Sequence, residues 1–188
     1  MPKVSEAHKE RRREQILEGA RRCFARYGYE GATVARLEEE TGLSRGGIFN
    51  YYASKDALFI EVAVETSRRL TDIWLQRGFR AVLDAIVDED PDWLAVQFEA
   101  TRRIRTDAEF RALIERREDE LKGAREERLE LLRPQVRDDV PLESTAVFLG
   151  LVANGLGLRH TVGDSLPDLD AIAKLVDEGV APRAQSSP

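Results

Sequence analysis

The chain is poor in side chains that hold metals or form cross-links. One cysteine, Cys23, excludes an internal disulfide framework and a multi-cysteine zinc site. Two histidines, His8 and His160, exclude a histidine-rich metal centre. No apolar run approaches the roughly 18 residues that a membrane span needs. Residues 1–13 are polar and charged and lack the apolar core of a signal peptide, so the expected compartment is the cytoplasm. Alternating strand patterns are also lacking. Glycine and proline gather at a few points of punctuation, which leaves long uninterrupted stretches for helices.

What is present suits an all-α protein with a real core. Hydrophobic residues make up 42% of the 188 and charged residues 34%, too apolar for an intrinsically disordered chain. The net charge of −6 is unevenly spread. Residues 1–55 carry 11 Lys/Arg against 8 Asp/Glu, while residues 56–188 carry 18 against 27. A basic head on an acidic body suggests that the head alone meets a polyanion.

The periodicity predicts a first helix from Arg11 to Tyr27, with an apolar stripe of Ile16, Ala20, Cys23, Phe24 and Tyr27, ended by Gly28. Short helices follow over 34–40, capped by Thr33, and from Ser44 through Tyr52. A longer one, capped by Ser54, runs from Lys55 to Gln76. Further helices are expected over 79–87, 92–105, 108–133, 142–161 and 169–179. This gives a flexible arm over 1–10, a head over 11–54, a helical body over 55–180 and a disordered tail over 181–188.

The segment TVARLEEETGLSRGGIFNYY, residues 33–52, has the pattern of a helix-turn-helix. Gly42 supplies the left-handed backbone of the turn. Val34, Leu37, Leu43 and Ile48 face inward, which leaves Ser44, Arg45, Gly46, Gly47 and Asn50 on the outer side of the second helix. Two glycines weaken that helix by roughly 1 kcal/mol each relative to alanine. Folding alone does not explain them, but close approach to a DNA major groove does. Arg45 is placed to read a guanine edge and Asn50 a base or phosphate. Thr33, Arg36, Tyr51 and Lys55 are the candidate phosphate contacts, Tyr51 facing outward and Tyr52 inward. The arginines at 11–13 are placed to follow the backbone.

No catalytic set competes with this reading. The two histidines stand apart from any nucleophile, and no glycine-rich loop follows a strand. Glu38, Glu39 and Glu40 are consecutive and point to different faces of a helix. Cys23, on the apolar stripe, reads as a small buried hydrophobe. No enzyme activity is expected.

Residues 16–58 resemble the DNA-binding domain of TetR-type repressors, through Phe24, Gly28, Tyr29, Thr33, Val34, Leu37, Gly42, Ser44, Gly46, Phe49, Tyr52, Lys55 and Leu58. The stretch 17–49, with RTDAEFRA and RDDVP further on, resembles the aconitase repressors of actinobacteria. It departs from them at Asn50-Tyr51-Tyr52, where His-His-Phe is usual. The resemblance implies a ligand-responsive repressor of citrate metabolism acting on a palindromic double-stranded DNA operator, with no obligatory cofactor. It implies a citrate–magnesium effector near Arg128 and Asp177, with Asp177 or Glu178 on the metal side. The alternatives are a regulator of efflux or catabolic genes with another effector, and an architectural protein of the nucleoid with none. Residues 146–158 are apolar nearly all round and include Gly150, Gly155 and Gly157. The helices over 142–161 and 169–179 are therefore the expected homodimer interface.

Overall fold

The structure is a computed structural model and describes residues 6–89 and 91–181, with Glu99 described through its backbone only. Among these residues the regular elements are all helical: α1 (Glu6–Gly31), α2 (Val34–Thr41), α3 (Arg45–Phe49), α4 (Lys55–Arg77), α5 (Phe79–Val87), α6 (Pro91–Thr106), α7 (Ala108–Glu130), α8 (Leu142–Thr161) and α9 (Leu169–Val180). A 3-10 turn, Arg133–Gln135, follows α7. No helix among the described residues is long and apolar enough to cross a membrane.

Several helix boundaries differ from expectation, three of them for identifiable reasons. The first helix starts at Glu6, so residues 6–10 of the expected arm are helical; Lys9 pairs with Glu6 one turn back at 2.8 Å. That polar turn carries no apolar stripe by which sequence could extend the helix. Gly28 does break α1, at φ +67°, but a last turn through Gly31 follows the kink. The long charged helix stops at Glu130, three residues early, because Pro134 fits only the looser turn that follows. The expected disorder over 181–188 lies, beyond Ala181, outside the described residues.

Packing divides the chain differently from the expected border at residues 54/55. One unit runs to Ser67 and takes in α6 and the start of α7 as far as Ile114. The other holds Arg68–Glu89 and the chain from Glu115 onward, so α4 and α7 each contribute to both.

The first unit is built on the α1 stripe. Ile16, Ala20, Cys23 and Phe24 are fully buried with Leu37, Ile48 and Leu58. Phe24, Tyr29, Phe59, Trp93 and Phe110 form an aromatic cluster, with Phe24 edge-on to Phe59 at 5.1 Å and Phe59 6.0 Å from Trp93. Burying each such ring contributes about 1.5–3 kcal/mol, which is why α6 and the start of α7, which supply Trp93 and Phe110, belong here. Gly19 sets the crossing of α1 and α2. A Cβ there would lie 2.7 Å from Thr41 Cα, so no other residue lets the two backbones come this close.

The second unit buries one face of α5 (Phe79, Val82, Leu83 and Ile86) with Leu142, Leu149 and Leu156 of α8 and Ala173, Val176 and Val180 of α9. Asp168 caps α9, accepting from the N–H groups of Asp170 and Ala171 at 3.0 Å each. The apolar character of α8 is divided. Leu142, Thr145, Leu149, Leu156 and Gly157 face inward, whereas Val147, Phe148, Leu151 and Leu158 are exposed, Leu151 to 66%.

Candidate nucleic-acid interface

Two caps and one left-handed glycine fix α2 and α3. Thr33, in extended conformation, accepts the Arg36 N–H on its hydroxyl at 3.4 Å and starts α2. Gly42 ends it at φ +68°, ψ +21°, a conformation that L side chains adopt only at a cost of about 1–2 kcal/mol. Its N–H returns to Glu38 O at 2.9 Å. Ser44 then caps α3 by accepting the Gly47 N–H at 3.3 Å. Ile48, fully buried, anchors the inner side of α3.

The outer side of α3 is open. Ser44, Arg45, Gly46 and Asn50 are exposed and Gly47 is half-buried. A Cβ on Gly46 would meet nothing within 4 Å, whereas one on Gly47 would come 3.4 Å from Leu43 Cβ. Gly47 thus sits close to the turn. Among the described residues nothing requires Gly46 to be small.

The flanking residues are held by identifiable contacts. Arg36 is exposed, but its guanidinium donates to Gly31 O at 2.8 Å and lies 4.2 Å from the Tyr27 ring centroid. Lys55 is half-buried; its Nζ donates to Tyr29 O at 3.0 Å and lies 4.3 Å from that ring. Tyr51 points outward and Tyr52 inward, as expected. Burial pushes the Tyr52 hydroxyl up to about 12. Of the arginine triplet, Arg11 is exposed, Arg12 donates to Gln15 at 3.0 Å and Arg13 reaches Glu61 at 3.4 Å.

Three positioning residues escaped the sequence reading. Glu38 Oε1 accepts the Arg45 N–H at 2.6 Å, a second cap on α3 from seven residues back. Gln15 donates to Thr41 O at 2.8 Å and Arg22 to Glu40 O at 2.8 Å, tying α1 to the end of α2. These contacts cross a turn or join two helices, and no periodicity signals them.

The expected effector residues are not joined in one site by any contact of their own. Arg128 of α7 pairs with Asp72 of α4 and buries an unpartnered Nε. Asp177 is exposed on α9, and Glu178 lies 3.8 Å from Lys174. Among the described residues no three His, Cys, Asp or Glu side chains gather as a metal site.

Residues 16–62 match the family described as bacterial regulatory proteins, tetR family. The chain is 43% identical over 184 residues to the HTH-type transcriptional repressor Rv1474c of Mycobacterium tuberculosis, covering 96% of this chain and 98% of that one. It is 41% identical over 176 residues to the HTH-type transcriptional repressor AcnR of Corynebacterium glutamicum, covering 91% and 93%. The fold is shared with a TetR-family transcriptional regulator from Rhodococcus sp., at a TM-score of 0.62 and 15% identity, covering 90% of this chain and 96% of that one. A TetR-family regulator from Mesorhizobium loti superposes at 0.61 with 14% identity, covering 93% and 95%.

Proposed function

Because the chain belongs to the TetR family and is a TetR-type transcriptional repressor, we propose that it binds a palindromic operator as a homodimer, each subunit laying α3 in one major groove. The observation that carries this reading is the bare outer face of α3, where Gly46 leaves room for base edges and Arg45 stands exposed beside it. Arg45 and Asn50 read bases; Thr33, Arg36, Tyr51 and Lys55 meet phosphates. Footprinting tests this: protection of one palindrome is the expected outcome, and uniform coating would make the protein an architectural one.

The dimer is formed through α8 and α9. The exposed Val147, Phe148, Leu151 and Leu158 of α8 and Leu175 of α9 supply an apolar face of the kind that obligate partners cover.

The effector is citrate bound to magnesium, and the regulated gene encodes an aconitase. The likeness to AcnR repressors favours this over an efflux or catabolic effector. An arginine fork suits a carboxylate. Arg128 carries one, with an unpartnered Nε and a carboxylate already on its terminal nitrogen. Citrate would compete with Asp72 for that fork, and Asp72 lies on α4, the helix that begins at Lys55. Such an exchange shifts the conformational equilibrium only by its differential affinity for the two states. Citrate with magnesium, but not citrate with excess chelator, should release the operator. Arg128→Ala should abolish the response and leave DNA binding intact. Calorimetry showing no heat with either mixture on DNA-competent protein would rule the effector out.

A further inference from the structure

The kinked end of α1, the start of α4 and the corner between α6 and α7 meet in one charged cluster around Tyr29. Tyr29 is buried, and its hydroxyl donates to Asp56. Its carbonyl accepts from Lys55 Nζ, and Lys55 lies over its ring. Arg103, with its side chain 18% exposed, lies 4.4 Å from the same ring and 4.1 Å from that of Phe110. The two arms of its guanidinium divide between carboxylates. Nη1 donates to Asp56 Oδ1 at 2.9 Å and Nη2 to Asp107 Oδ2 at 2.8 Å. Asp107 in turn accepts the Phe110 N–H at 3.0 Å in the first turn of α7.

The arrangement bears on Lys55. Its ammonium is aimed by the Tyr29 carbonyl and ring, and that ring is held through Asp56 and Arg103. Asp56 is adjacent to Lys55 in sequence, so its charge matters to any anion that Lys55 meets. Arg103 answers that charge. Without the guanidinium, the Asp56 carboxylate would keep only the Tyr29 hydroxyl and would draw the neighbouring ammonium to itself, away from a phosphate. Burial opposes the charge on Arg103, but its hydrogen bonds with Asp107, Asp56 and Tyr29 outweigh that, and its pKa lies above the ordinary guanidinium value.

We infer that Arg103 is a positioning residue for DNA binding: by holding Asp56 and the Tyr29 ring, it keeps the Lys55 ammonium directed at a DNA phosphate. This rests on the reading of Lys55 as a phosphate contact, and the test separates the two. The full chain is titrated with a mixed-sequence DNA duplex across a range of salt, by fluorescence anisotropy. Lys55→Ala should flatten the salt slope by about one unit. Arg103→Ala should flatten it equally, with no further loss in the double variant. Asp56→Asn should restore the slope in the Arg103→Ala background, because it removes the competing charge. Arg103→Lys keeps one cation but cannot span both carboxylates, so it should fall between. If Arg103→Ala melts too low to assay, the comparison is made with Arg103→Lys alone and with Asp56→Asn. A wild-type slope in the assayed Arg103 variant, additive losses, or no rescue by Asp56→Asn would overturn the role of Arg103. An unchanged slope in Lys55→Ala would remove the phosphate reading itself, and this inference with it.

Discussion

At position 46 a Cβ would meet nothing within 4 Å among the described residues beyond its own helix backbone, and that separates folding from function at a single residue. Alanine is the better helix former by as much as about 1 kcal/mol. Gly46→Ala should therefore leave thermal stability unchanged or raise it, while weakening operator binding. A variant with wild-type affinity would mean that this face does not approach the groove closely. Gly19 behaves in the opposite way. Its added methyl would press on Thr41 backbone, so the glycine serves the α1–α2 crossing. Sequence made Gly46 legible, because a glycine pair inside a short helix has no local rationale. Gly19 stayed hidden, because its neighbour lies on another helix and no spacing encodes that approach.

Among the elements, α3 is the least able to stand alone, with only five residues between its caps. Its N-terminus is held twice, by Ser44 from within and by the Glu38 carboxylate from α2. Removing a cap typically costs about 0.5–2 kcal/mol, so Glu38→Ala should lower the melting temperature. Glu38→Gln keeps an acceptor and should lose less, by the amount that the negative charge adds at a helix N-terminus. Equal melting of both variants and wild type would show that Ser44 alone suffices. Helix positions were readable wherever glycine or a small polar cap punctuates the chain, as at Thr33, Gly42 and Ser44. The recruitment of α6 and the start of α7 into the first unit was not. It depends on Trp93 of α6 and Phe110 of α7 reaching Phe59 and Tyr29, pairings between residues far apart in sequence.

On the scale of the whole molecule, the proposed assembly depends on the outer face of α8. Gly155 is exposed there, and a Cβ on it would meet nothing within 4 Å among the described residues beyond its own helix backbone. Gly155→Glu should leave the monomer folded and place a charge in the covered face, where an unpaired charge is strongly unfavourable. Light scattering should report monomers, and a folded dimer would move Gly155 out of the contact. The same helix shows where composition misleads. Its residues are apolar in every direction, yet only Leu142, Leu149 and Leu156 among its leucines pack inward, because α5 covers one side. The core has a practical corollary as well. The chain's one sulfhydryl, Cys23, is fully buried, and burial pushes its pKa up to about 11. The native protein is therefore a blank background for site-directed spectroscopy. A reporter attached through Glu39→Cys, on the exposed side of α2, would stand alone in each subunit. Double electron–electron resonance between two such reporters would then measure the separation of the paired heads, with and without effector, with no native residue removed for the purpose but Glu39.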